Sequence, residues 1–389
     1  MAMAMRLLTG CAQRRDQKPH EGQLPMTNHD SRIPIRFSAR HGSMPRPFER
    51  TTSSASRSSG GGGDAGGPAV PVLFIAGIGR SGSTLLDRLL GSAPKLHSGG
   101  EIGGVWTQGL VCDRLCSCGV RFSVCPFWQA VGSSSFSSLQ THEVDAIVSY
   151  LDRVLPTKKM WLLLSRRTRR RLVRSAPANF FEMTSRLYQG ILAVSTRQVV
   201  VDSSKLATYL MLLTLVPSAD VRVVHLVRDP RAVMHSWLKL QVADPDGRSS
   251  MPRCGVATSI VLWLINNAAV EWIAQQLALP YVRVRYEDLV RDPSQVVRKL
   301  WSEFAMGNTE LGCVEADPPN CEGVDFGVIH SISGNPMRFR QGRALIVEDA
   351  DWKADPKLRR AIVAAITLPL RWRYGYGGPS VFRYRMKRC

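Results

Sequence analysis

The sequence predicts a three-layer α/β fold built on a central parallel sheet. Apolar runs of strand length recur along the chain, helical patterns separate them, and the first run empties into a glycine- and serine-rich loop. A strand covered by helices on both faces carries no polar alternation, so the unbroken run PVLFIAG (71–77) has the form of a buried parallel strand.

The elements follow in order. Ser83 to Leu90 places Leu85, Leu86, Leu89 and Leu90 on one helical face. RQVVVDSSK (197–205) is a second buried strand, VRVVHLVRDP (221–230) a third and YVRVRYEDL (281–289) a fourth. The strand pattern stops between about residues 104 and 196, where a helical insertion is expected over the mouth of the sheet, on the acceptor side. Its run SRRTRRRLVR (165–174) reads as a solvated helix face. LATYLMLLTLVP (206–217) is too short to cross a bilayer, and the apolar stretch that follows residue 255 is broken by Asn266, Asn267 and Glu271. Both are expected to be buried helices, and no transmembrane segment is expected.

Residues 1–69 are basic and rich in Ser, Gly and Pro, and bury too little apolar surface to offset chain entropy, so they read as a disordered tail before one domain at 70–389. MAMAMRLLTGCAQRR lacks an apolar core of signal-peptide length, which gives a cytoplasmic expectation, with a basic transit-type peptide left open. The net charge of +20 implies anionic partners without choosing among them. Of nine cysteines, Cys112, Cys116, Cys118 and Cys125 cluster. They lack paired CxxC knuckles and a downstream His pair, so the expected reading is a thiol-rich folded loop, with a zinc site or a redox-sensitive disulfide as alternatives.

Ligands of open α/β sheets bind beyond the carboxyl ends of the strands, and three strand ends here suit an anion. In GIGRSGSTLL, Gly77, Gly82 and Thr84 stand in the register of a phosphate-binding GxxxxGK[ST] loop, but Ser83 occupies the lysine position. Backbone N–H groups at the helix start would face the anion, the hydroxyls of Ser81, Ser83 and Thr84 add donors, and Arg80 supplies charge. In HLVRDPRAVMHSW, Arg228 ends a strand, Asp229 is a plausible N-cap, Pro230 suits the first helical turn, and Ser236 can converge with Arg228 on one phosphate. In VVVDSSK, Asp202 either holds Mg²⁺ or caps the next turn, and Lys205 offers an ammonium to a group in transfer.

GRSGSTLL, VRDPRAVMHSW and RYEDL in this order resemble the sulfotransferases that use 3′-phosphoadenosine 5′-phosphosulfate, in the branch that includes tyrosylprotein and carbohydrate sulfotransferases. The resemblance covers roughly residues 71–376. It implies a P-loop NTPase-like fold whose loop, at Arg80, Ser81, Gly82, Ser83 and Thr84, cradles the 5′-phosphosulfate. Arg228 and Ser236 would hold the 3′-phosphate and Tyr286 would lie near the adenine. HSISGNPMRFRQGR (330–343) resembles the loop that closes over the nucleotide, through Gly334, Asn335 and Arg338. Glu101 in HSGGEIGGVW matches the family's catalytic glutamate, with His97 and His330 as rival bases. Arg80 and Lys205 would stabilise the leaving oxygen, and the scheme requires no metal. The implied acceptor is a hydroxyl or amine of a small molecule, carbohydrate or peptide, and no nucleic acid is expected. A P-loop kinase or nucleotidase and a basic polyanion-binding protein are the competing readings.

Overall fold

The computed structural model describes residues 69–377 except Ser137, 158–159, 161–164, 246–249 and 306–323. The proposed disordered tail lies outside the described residues. The described chain opens with β1 (Val70–Gly77), α1 (Ser83–Gly91) and β2 (Leu96–Ser98). After the short helical turns at Ile102–Gly104, Val105–Val111 and Phe122–Val124 come α2 (Pro126–Ser135), α3 (Thr141–Val154), α4 (Arg166–Arg174) and α5 (Phe180–Ser195). The chain returns to the sheet through β3 (Val199–Lys205), α6 (Ala207–Leu213), β4 (Ala219–Val227), α7 (Pro230–Leu238), α8 (Val256–Gln276) and β5 (Tyr281–Arg285). It ends with α9 (Tyr286–Arg291), α10 (Pro293–Ala305), the hairpin of β6 (Val324–Phe326) and β7 (Gly342–Ala344), α11 (Lys357–Ile366) and α12 (Leu368–Arg373).

The five strands are parallel in the order β2-β3-β1-β4-β5. The chain leaves β1 for one side of the sheet, then crosses to the other between β3 and β4. The carboxyl end of β1 is therefore the switch point where a crevice opens. Side chains of β1 divide between two cores. Val72, Phe74 and Ala76 pack with Tyr209, Leu210 and Val270, whereas Leu73 and Ile75 pack with Leu85, Leu86, Leu89 and Leu90. Burial on both faces accounts for the unbroken apolar run in the sequence.

Two expectations change. The fourth strand ends at Arg285, and RYEDL begins a helix at Tyr286 with Glu287 and Asp288 in its first turn, where carboxylates favour the helix dipole. Strand β2 was not expected, since its three residues carry too little pattern to read. Between β2 and β3 the chain carries α2 to α5, and the arginine helix α4 leaves Arg167, Arg170, Arg171 and Arg174 exposed.

By length and composition, α8 is able to cross a bilayer. In this fold it lies against the sheet, and its polar residues bind there. Asn266 donates to the Gly77 carbonyl and accepts from the Ala207 N–H at 3.0 Å. Asn267 pairs with His225 Nε2 at 2.9 Å, and Tyr281 OH meets His225 Nδ1 at 2.7 Å. Burial pushes the His225 imidazole down to about 3, so it sits neutral between these partners.

Candidate active site

The glycine loop follows from its backbone. Gly82 has φ +91, and a Cβ there would come within 2.5 Å of the Tyr286 ring, so this position demands glycine on both counts. Arg80 (φ 74) and Lys205 (φ 58) are left-handed without being glycine, a strain of about 1–2 kcal/mol each. Such strain gathers where function fixes the chain. Ser83 and Thr84 open α1. The Ser81 hydroxyl is buried and has no hydrogen-bond partner among the described residues.

Glu101 is placed by an extension of the β2–β3 ladder. Gly99 N–H donates to the Val201 carbonyl at 2.9 Å and Ser203 N–H to the Gly100 carbonyl at 2.8 Å. Glu101 therefore stands beside the carboxyl end of β3, where Lys205 forms an ion pair with its Oε1. Ser333 Oγ donates to Glu101 Oε2 at 3.0 Å. Gly334, at φ +117, closes the third side. A Cβ on it would lie 3.2 Å from Glu101 Oε1 and 3.6 Å from Thr84 Oγ1. The end of β3 and the late loop thus meet at one carboxylate, with Gly334 also beside Thr84 of the glycine loop.

A second group lies at the tip of β4. As expected, Asp229 caps α7 by accepting from Arg231 N–H at 2.9 Å, with Pro230 in the first turn. The buried Arg228 guanidinium donates to the Arg80 carbonyl at 3.0 Å and lies 4.4 Å over the Tyr286 ring. It also pairs with Asp349 at 3.0 Å, while its Nε has no partner. Ser236 is buried on α7. A cleft of about 240 Å³ opens here, lined by Arg228, Arg231, Tyr286, Asp349, Trp352 and Tyr376 among others. Glu287 braces its floor by accepting from Asp229 N–H at 3.1 Å and Tyr376 OH at 2.6 Å.

Other expected site residues are engaged elsewhere. The Arg80 guanidinium donates to Gln241, to Met251 Sδ at 3.0 Å and to the Pro252 carbonyl at 3.2 Å, and lies 5.2 Å over Trp237. Its side chain is held by Gln241, Met251 and Pro252, while its carbonyl faces Arg228. Arg338 is buried, donating to the Leu115 and Ser331 carbonyls at 2.9 Å each and pairing with Asp244 at 2.6 Å. Asn335 Oδ1 caps the next turn by accepting from Met337 N–H at 3.0 Å. Asp202 accepts from Ser204 N–H at 2.8 Å and from Tyr188 OH, which makes it the cap of its own turn. Burial pushes its carboxyl up to about 6.

His97 and His330 sit away from the Glu101–Lys205 pair in their contacts, on either side of the Phe127 ring, at 5.1 Å and 4.6 Å. Burial, with His330 and Arg197 nearby, pushes the His97 ring down to about 4. The expected cysteine cluster is regrouped. Cys112 is disulfide-bonded, and Cys116, Cys118 and Cys125 converge instead with His330.

Sequence reading missed Arg88. Buried on α1, it donates to the Met337 carbonyl at 2.7 Å and the Gly327 carbonyl at 2.8 Å, fastening the late loop to the helix behind the glycine loop. An arginine amid the leucines of α1 was its only trace in the sequence.

Residues 135–306 match the family model described as Sulfotransferase family. Carbohydrate sulfotransferase 5 of Mus musculus is 34% identical over 108 residues, a match covering 24% of this chain and 27% of that protein. Among solved structures, the sulfotransferase domain from the Synechococcus PCC 7002 olefin synthase aligns with TM-score 0.40 and 18% identity, over 78% of this chain and 97% of that one. The sulfotransferase domain from the curacin biosynthetic pathway aligns with TM-score 0.37 and 17% identity, over 77% and 98%.

Proposed function

We propose that this chain, a member of the sulfotransferase family through residues 135–306, uses 3′-phosphoadenosine 5′-phosphosulfate and passes its sulfuryl group to a hydroxyl or amine acceptor. One observation carries the reading. The Lys205 ammonium and the late-loop Ser333 both hold the Glu101 carboxylate, and Gly334 packs beside it and beside Thr84 of the glycine loop.

Two features of this structure fit such a donor. The buried hydroxyl of Ser81 and the Nε of Arg228 are unpartnered, and the chain between them is linked by the Arg228–Arg80 contact. Bound there, the nucleotide supplies an activated sulfuryl group whose departure leaves charge on a phosphate oxygen. The loop N–H groups and hydroxyls hold the 5′ end, and Arg228 holds the 3′-phosphate.

Glu101 then takes the acceptor proton, which requires an approach of about 2.6–3.2 Å. Lys205 serves both ends of the transfer. Its ammonium neutralises Glu101 in the free protein, and on moving to the leaving oxygen it stabilises the developing charge and frees the carboxylate to act as base. Arg80 joins only by leaving Gln241, so Lys205 carries the larger part. The acceptor approaches from the helical insertion, and the carbohydrate relative makes a sugar hydroxyl the first to try. Cytoplasmic location belongs to the same proposal. Fractionation of the tagged protein tests it.

The test is transfer of labelled sulfate from the donor to a panel of sugar, phenol and peptide acceptors. Donor-dependent labelling that is lost in Glu101→Gln is the expected result. Equal labelling by Glu101→Gln and the parent removes Glu101 from the mechanism.

A further inference from the structure

We propose that Cys116, Cys118, Cys125 and His330 form a Cys₃His zinc site that fastens the late loop to the insertion. The geometry is that of a coordination shell. Cys116 and Cys125 Sγ are 3.7 Å apart, and Cys118 and Cys125 Sγ 3.6 Å apart. His330 Nδ1 lies 3.7 Å from Cys116 Sγ and 3.3 Å from Cys125 Sγ. With Zn–S near 2.3 Å and Zn–N near 2.0 Å, the edges of a tetrahedron are about 3.8 Å between sulfurs and about 3.5 Å from sulfur to nitrogen. A disulfide needs about 2.05 Å. The four ligand atoms all lie within 4.8 Å of one another, close enough to share one ion.

Backbone donors face two of the sulfurs. Backbone N–H groups of Cys118 and Trp128 donate to the sulfurs of Cys116 and Cys125. The Arg338 guanidinium, paired with Asp244, also stands near Cys116. Each thiol gives its proton to solvent as it binds. The histidine ring is held in orientation by stacking on Phe127 at 4.6 Å, and Trp128 Nε1 donates to the His330 carbonyl at 2.8 Å. Cys116 and Cys125 are buried, so the centre is screened from solvent.

Four protein ligands fill a tetrahedral zinc, which makes the site structural rather than catalytic. Its mechanical effect is local. His330 precedes Ser331, whose carbonyl accepts from Ser117 N–H at 2.9 Å and from Arg338, and Ser333 reaches Glu101. The metal would hold the start of the loop that positions these groups. The spacing in the sequence hid this, because the fourth ligand lies far from the cysteines along the chain.

The full chain, purified without chelator, is analysed for metal by plasma mass spectrometry, and its thiols are counted under native conditions. About one zinc per chain is expected. Cobalt exchanged into the protein should show the visible bands of a tetrahedral thiolate site. Cys118→Ser, at the least buried sulfur, should lose most of the metal and the bands, while Cys254→Ser outside the cluster keeps both. Chelation should expose residues 324–343 to protease. Purified parent protein with no zinc and no tetrahedral cobalt spectrum overturns the proposal, as does a disulfide among Cys116, Cys118 and Cys125. Zinc retained in full by Cys118→Ser overturns it as well.

Discussion

The Arg228 guanidinium donates to the backbone carbonyl of Arg80 at 3.0 Å, so the tip of β4 and the glycine loop after β1 form one surface. Two segments that the sequence separates by well over a hundred residues are thus in direct contact, and the proposed donor, with phosphates at both ends, would span them.

Arg228→Ala should weaken binding of 3′,5′-bisphosphoadenosine by about tenfold to a hundredfold, the value of one charge-assisted hydrogen bond. Calorimetry checks this. Because Arg228 is buried against Tyr286 and Asp349, the unliganded melting temperature should fall too, so affinity is measured well below that midpoint.

Asp349 offers Arg228 a carboxylate where the nucleotide would offer a phosphate. A phosphate bound at Arg228 would displace that contact. Asp349→Asn should therefore raise affinity for the bisphosphate severalfold, with little effect on 5′-AMP. Unchanged or weakened affinity would mean that Asp349 is not in competition with the nucleotide.

Glu101→Gln should leave nucleotide affinity near the parent value while turnover falls by about 10²–10⁴-fold, the range for loss of a general base. Lys205→Met should lower turnover as well. Binding by calorimetry beside labelled-sulfate turnover separates the two effects.

Asp87 gives a pH signature independent of the chemistry. Burial pushes its carboxyl up to about 7, against the hydrogen bond it accepts from Ser98 Oγ at 2.6 Å. The folded protein then holds a proton that the unfolded chain releases near 4, so this contribution to stability is complete below about pH 4 and is lost as pH rises to about 7. Asp202, pushed up to about 6, acts with the same sign. Asp87→Asn should raise the melting temperature more at pH 8 than at pH 5. An equal shift at both values would exclude a protonated Asp87.

Much of the sheet was legible because parallel strands buried on both faces read as unbroken apolar runs, and the capped turn at Asp229–Pro230 has local rules of its own. Strand β2 was too short to show a period, and the RYEDL helix hid behind the β-forming residues before it although Glu287 and Asp288 mark a helix start. At the site, the separate motifs were legible but their pairings were not. The Glu101–Lys205 ion pair, the Arg88 grip on the late loop and the meeting of His330 with three thiols join residues distant in sequence, and only the fold brings them together.

The most direct measurement is calorimetric titration of the protein with 3′,5′-bisphosphoadenosine, 5′-AMP and Mg-ATP side by side. Tight binding of the bisphosphate is expected, with at least about tenfold weaker binding of 5′-AMP for want of the phosphate at Arg228, and weaker binding still of Mg-ATP. Mg-ATP binding as tightly as the bisphosphate, or no difference between the bisphosphate and 5′-AMP, would contradict it.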